Sequence, residues 1–280
     1  MDSLLPSEMA NKAEEVGIAK ANMALSKTLV LAILAGSFIA LGAVFSTTAT
    51  AGSNLPFGIT RVLAGITFSL GLILVIVGGA ELFTGNNLIV MAWANKKITT
   101  RMVLRNWLLV YTGNMIGAIA IALLIFLSKQ YLFGKGAVLI NAMNIAQAKC
   151  QTGFAEGIAL GILCNILVCL AVWLCFSASS VTGKILSVIF PVTAFVACGF
   201  EHCIANMYFV PLGLLIKYFG GEQATEIIAV NGTNYDALNL SDFLTNNLIP
   251  VTIGNVIGGA VLVGLVYWFV FLRKQDSFKL

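Results

Sequence analysis

Charge is scarce in this chain. Asp, Glu, Lys and Arg together make up 10% of 280 residues, and His202 is the single histidine. Soluble domains carry about a quarter charged residues. The scarcity, with 59% hydrophobic residues and a mean hydropathy of +0.95, excludes a soluble globular protein and indicates an integral membrane protein. No apolar stretch alternates with a period of two, which excludes a barrel. A cleavable leader is also missing: residues 1–27 are polar and of mixed charge, without an apolar run. No basic cluster interleaved with aromatics appears, so no nucleic-acid partner is expected. The six cysteines (Cys150, Cys164, Cys169, Cys175, Cys198, Cys203) form no CxxC pair. Most fall inside apolar runs, where cysteine packs as a small hydrophobe, so neither a metal nor another cofactor is expected.

What is present is a series of long apolar runs. The first spans about 28–46. A second, about 62–93, exceeds the roughly 20 residues that cross a bilayer, and Gly78, Gly79, Glu81, Thr84 and Gly85 to Asn87 interrupt it. We expect a broken helix there, with the break near Glu81–Asn87. The third run covers about 106–127, the fourth about 154–176, the fifth about 185–219 and the sixth about 248–272. The fifth is broken again, around Gly199 to Asn206. Between the runs, 128–152 reads as a polar connection and 220–246 as an acidic one without lysine or arginine. Residues 1–27 read as a surface helix or arm: a solvated amphipathic helix at the membrane face, or a gate over the pore.

Six spans put both termini on one side. Taken as cytoplasmic, that side holds Lys12, Lys20, Lys27, Lys96, Lys97, Arg101, Arg105, Lys184, Arg273, Lys274 and Lys279. The other face has Arg61, Lys129, Lys135, Lys149 and Lys217. The excess of lysine and arginine places the termini in the cytoplasm. The expected division is therefore a cytoplasmic segment 1–27, a six-helix domain 28–272 and a cytoplasmic tail 273–280.

The chain also repeats itself. Gly79-Ala-Glu81 followed by Asn86 matches Gly199-Phe-Glu201 followed by Asn206. Gly113-Asn114-Met-Ile-Gly117 matches Gly254-Asn255-Val-Ile-Gly258, and Leu31-Ala-Ile-Leu34 matches Leu160-Gly-Ile-Leu163 more weakly. Two halves of three spans each must run in opposite senses, which predicts an inverted 3+3 repeat with its site where the two broken spans meet.

The chemistry available there is that of an anion path. Half-helix N-termini favour negative charge. Thr84, Asn86, His202 and Asn206 add polar side chains, and a histidine can exchange a proton near neutral pH. This set suits the monovalent anion of a weak acid, with Leu72, Leu82, Phe83, Phe68 and Phe195 as apolar constrictions around the site. The symmetry of Glu81 and Glu201 points to a structural task, accepting hydrogen bonds from backbone freed by the breaks. The GxxxG pairs read as close helix packing, with Asn114 and Asn255 as interhelical glue. Lys149 also fits an ordinary interfacial lysine. A neutral-solute channel agrees poorly with a titratable centre between aromatic rings. An enzyme agrees poorly with one histidine lacking a paired nucleophile or metal-ligand cluster.

Gly199-Phe-Glu-His-Cys-Ile-Ala-Asn-Met207, Gly79-Ala-Glu-Leu-Phe-Thr84 and Asn247-Leu-Ile-Pro-Val-Thr-Ile-Gly-Asn255 resemble the formate/nitrite transporter family over nearly the whole chain. Cys203 stands where relatives often have serine. The resemblance implies an aquaporin-like, all-α membrane fold, assembled as a homopentamer with a pore in each protomer of the bacterial inner membrane. It implies conduction of formate with a proton-linked, pH-dependent regime, with nitrite or hydrosulfide as the alternative cargo. It implies that His202 is the central pore residue facing Thr84, that Lys149 and Asn165 shape a positive field around it, and that Asn255, Glu201 and Asn206 belong to the polar set. Phe68, Leu72 and Phe195 would form the outer constriction, and Leu82, Phe83 and Val168 the inner one. In relatives the N-terminal segment is linked to pH-dependent gating.

Overall fold

The computed structural model describes residues 3–273, and its secondary structure there is helical. The expected tail beyond residue 273, with Lys274 and Lys279, lies outside the described residues. The helices are α1 (Pro6–Asn22), α2 (Leu25–Thr50), α3 (Phe57–Gly78), a 3-10 turn (Gly85–Ile89) leading into α4 (Val90–Ala94), and α5 (Thr100–Leu127). They continue with α6 (Ala137–Cys150), α7 (Phe154–Ser177), α8 (Val181–Ala197), α9 (Cys203–Phe219), α10 (Gly221–Asn231) and α11 (Leu240–Phe271). Five of them, α2, α3, α5, α7 and α11, are long and apolar enough to cross a membrane. Their outer faces expose residues such as Leu108, Leu124 and Leu127, and α8 exposes Phe190, far more apolar surface than water tolerates.

Glycines with left-handed backbone stop the helices at the two interruptions. α3 gives way at Gly79 (φ 79°), and the chain stays non-helical to Thr84, somewhat earlier than the sequence led us to expect. After α8 the same happens at Gly199 (φ 77°), and α9 resumes at Cys203. Such a φ strains a residue with a Cβ, and glycine takes it freely.

The GxxxG expectation is met as backbone contact. A Cβ on Gly117 of α5 would stand 2.0 Å from the Ile33 carbonyl of α2, and one on Gly258 of α11 would stand 2.3 Å from the Ile162 carbonyl of α7. α11 carries π-type turns over Phe243–Leu248 and Ile257–Leu265, on either side of the segment bearing Asn255. Extra residues per turn of this kind often mark functional positions.

Three connecting segments are more ordered than the sequence suggested. The stretch 128–152 contains α6, whose Val138, Leu139, Ala142, Met143, Ala146 and Cys150 form one buried stripe. Asn141, Asn144, Gln147 and Lys149 on the same helix dilute its hydropathy and hide that period. The acidic connection holds α10, bent 105° from α9. α1 packs Met9, Ala10, Ala13, Gly17 and Ala21 into the protein, with Gly17 against Ile89 and Ala92. α1 is thus a helix with one buried stripe, whose small residues let it approach backbone closely.

Candidate functional site

The two interruptions build matching polar clusters. Beside the first, Lys20 Nζ of α1 donates to Glu81 Oε1 and to Asn86 Oδ1, both at 2.8 Å. Asn86 Nδ2 donates to Glu81 Oε2 at 2.7 Å and to Asn106 Oδ1 at 3.0 Å. Beside the second, Lys149 Nζ of α6 reaches both oxygens of Glu201 at 3.0 Å. Asn206 Nδ2 donates to Glu201 Oε2 at 2.7 Å and to Asn247 Oδ1 at 2.6 Å. Two differences separate the twins: Lys149 lies over the Phe209 ring, 5.2 Å from its centroid, and Asn206 Oδ1, unlike Asn86 Oδ1, has no partner among the described residues.

The glutamates therefore do not accept the freed backbone, as the sequence reading held. Asparagines handle it. Asn114 Oδ1 accepts from the Phe83 N–H at 2.9 Å while its Nδ2 donates to Glu81 O and Ala32 O. Asn255 Oδ1 accepts from the Cys203 N–H at 3.0 Å while its Nδ2 donates to Glu201 O and Gly161 O. The Glu81 and Glu201 N–H groups donate to Leu31 O (3.2 Å) and Leu160 O (3.3 Å). The weak match of Leu31–Leu34 to Leu160–Leu163 thus has a cause: both stretches present carbonyls to an interruption. Buried backbone without partners costs about 1–3 kcal/mol per group, and each amide settles several at once.

Two cavities approach these clusters and share no lining residue. The first, about 500 Å³, is lined by Lys20, Leu72, Glu81, Leu82, Asn86 and Lys184 among others. The second, about 450 Å³, is lined by Arg61, Phe68, Lys149, Phe195, Glu201, His202, Asn206 and Phe209 among others. Phe68, which lines the second cavity, and Leu72, which lines the first, are one turn apart on α3. Leu72, expected with Phe68 and Phe195, faces the same cavity as Leu82. Phe83, Thr84 and Val168 are buried and line neither. Phe195 meets Phe68 edge-on, with centroids 5.9 Å apart, and lies nearly parallel to the His202 ring at 6.1 Å.

His202 caps α9. Its Nδ1 accepts the Ala205 N–H at 3.1 Å, and its Nε2 lies 2.9 Å from Thr84 Oγ1. An Nδ1 that accepts carries no proton, so the neutral ring holds its proton on Nε2 and donates it to the Thr84 hydroxyl. His202 and Thr84 are thus brought together as expected. Asn165 is placed differently. Its Nδ2 donates to Asn255 O (2.6 Å), Asn87 Oδ1 (3.0 Å) and Thr84 O (3.4 Å), joining the two interruptions rather than facing the imidazole.

Lys20, Asn106 and Asn247 were missed as members of the clusters. A signal existed. Lys20 precedes Leu31 by the same eleven residues that separate Lys149 from Leu160, and Asn106 precedes Asn114 as Asn247 precedes Asn255. The repeat therefore includes α1 and α6 as counterparts.

Comparison with known proteins agrees with this geometry. The sequence pattern described as formate/nitrite transporter matches residues 7–269. The chain is 46% identical to the formate channel FocA of Escherichia coli (strain K12), over 98% of this chain and 97% of that one. It is 41% identical to the formate channel FocA of Haemophilus influenzae, over 94% and 93%. A solved structure described as a pentameric formate channel with formate bound superposes with a TM-score of 0.82 at 46% identity, covering 89% of this chain and 98% of that one. Interrupted helices, twin polar clusters and near-complete alignment lead to one assignment: the chain belongs to the formate/nitrite transporter family.

Proposed function

We propose that this protein is a channel for formate in the bacterial inner membrane, with six spans as an inverted repeat and both termini in the cytoplasm. α8 and α9 form the fifth span in this reading, and the protein works as a homopentamer with one pore per protomer. No catalytic step is assigned to it. The observation that carries the reading is the apolar barrier between two cavities, each with a lysine–glutamate pair at its wall, and the bond from His202, at the wall of one, to the buried Thr84.

The positive-inside distribution makes the cavity beside Lys20 cytoplasmic and the one beside Lys149 external. An anion entering from outside meets the N-terminal end of α9, whose dipole favours it. The Nε2–H of His202, held in place by Thr84, is then shared with the carboxylate. The ring serves as a hydrogen-bond donor. Giving up its Nε2 proton would leave an imidazolate, and adding one at Nδ1 would set it against the Ala205 N–H. The proton that makes the cargo neutral therefore arrives from the water of the cavity. Near-neutral formic acid then passes Phe68, Leu72 and Leu82, and flux rises as the pH falls. Nitrite and hydrosulfide, monovalent anions of weak acids, are the alternative cargo.

Flux of formate, nitrite and hydrosulfide into proteoliposomes between pH 5 and 8 tests this. Formate flux well above that of empty liposomes, rising in acid, is the expected result. Fast nitrite or hydrosulfide with slow formate would replace the cargo and leave the path in place.

A further inference from the structure

The external cavity poses an electrostatic problem that its lysine does not solve. α8 ends there at Ala197, and the C-terminal end of a helix carries roughly half a negative charge on its unsatisfied carbonyls. Lys149 is engaged by both oxygens of Glu201. Glu156, also at the wall, adds a further negative charge, its Oε2 accepting the Gly153 N–H at 3.4 Å. The N-terminal end of α9 offsets only the α8 carbonyls, which leaves the mouth net negative without a further cation.

Arg61, in the second turn of α3, supplies that cation at the end of α8. Its Nε donates to Ala197 O at 3.0 Å and its Nη2 to Val196 O, the last two carbonyls of α8. Its guanidinium also lies beside Gly199, where a Cβ would meet Nη2 at 3.3 Å. Of the two basic residues lining this cavity, Arg61 is the one with no carboxylate partner among the described residues. A guanidinium has five N–H donors, so three remain for water or a passing anion.

We propose that Arg61 recruits the anion at the external mouth. It offsets the net negative charge there and leaves the entrance attractive to a monovalent carboxylate. This deepens the channel reading and rests on it. Arg61 acts before the barrier, as a recruiting and positioning residue, by its charge.

The test is initial formate uptake into proteoliposomes holding the protein in one orientation, at external ionic strengths from about 10 to 300 mM, for wild type, Arg61→Lys and Arg61→Gln. Attraction by a partly exposed charge is screened over this range, where the Debye length falls from about 30 Å to below 8 Å. Wild-type uptake should decline with salt. Arg61→Gln should be slower by about tenfold at the lowest salt, in line with field-driven recruitment. It should show a flat salt profile and a raised KM with Vmax within about twofold. Arg61→Lys, which keeps the charge without the fork, should follow wild type.

Two results overturn the proposal. One is a loss in Arg61→Gln that is equal at every salt concentration. The other is Arg61→Lys as impaired as Arg61→Gln, which would make the clamp on α8 purely structural. Should Arg61→Gln fail to fold, the Lys variant and the wild-type salt profile still decide. Absence of formate flux in wild type would instead remove the channel reading.

Discussion

The Thr84–His202 contact breaks the repeat at the residue scale. By the spacing that aligns Glu81 with Glu201, the counterpart of His202 is Leu82 and that of Thr84 is Ile204. Each half contributes one polar group opposite the other's apolar one, so the centre has a single donor–acceptor pair. Thr84→Val should remove the hydroxyl that holds Nε2–H in place. Formate uptake should drop by about tenfold, the worth of one neutral hydrogen bond of about 1.4 kcal/mol, while Thr84→Ser keeps the wild-type rate. Asn255→Ala leaves the Cys203 N–H and the Glu201 carbonyl without their amide partner. It should cost about 2–5 kcal/mol of stability from the unsatisfied groups alone, read as a large fall in the thermal midpoint of detergent-solubilised protein.

At the scale of elements, the lysines delivered by α1 and α6 matter most. Lys20→Met should leave Glu81 as an uncompensated carboxylate, 5% exposed, at the wall of the first cavity. Removing one partner of a buried pair costs about 3–5 kcal/mol, whereas replacing both by neutral groups is often tolerated. The expected outcome is impaired folding and formate uptake in Lys20→Met, substantially restored in Lys20→Met/Glu81→Gln. A double-mutant cycle on thermal stability, run alongside the uptake assay, checks both. Much of this architecture was legible in the sequence. The glycine–glutamate–asparagine twins located both interruptions because such residues are costly inside an apolar run. α1 and α6 were harder to see as counterparts, because they share only a lysine at a fixed spacing from Leu31 and Leu160 rather than a motif. The glutamates were assigned to the backbone because symmetry reveals that a residue has a task without revealing which donors reach it.

At the scale of the whole molecule, each half is closed by backbone contact within itself, α5 on α2 in the first and α11 on α7 in the second. Gly117→Val and Gly258→Val would each push a side chain into a facing carbonyl. Overpacking of a tight contact typically costs about 1–3 kcal/mol and here cannot be relieved by moving a flexible neighbour. Both variants should give sharply reduced yields of folded protein on size-exclusion chromatography, with Gly258→Val disturbing Asn255 and formate uptake together.

Asn165 has a consequence for how cargo crosses. Its amide holds Thr84 O from one interruption and Asn255 O, next to the other, at once. A carrier that rocks between inward-facing and outward-facing shapes must let its two halves part at the centre, and this amide ties them there. Between the cavities stand the buried side chains of Phe68, Leu72, Leu82 and Phe195. In the channel reading proposed above, cargo crosses by displacing those side chains against fixed halves, without the microsecond-to-millisecond motion of whole domains.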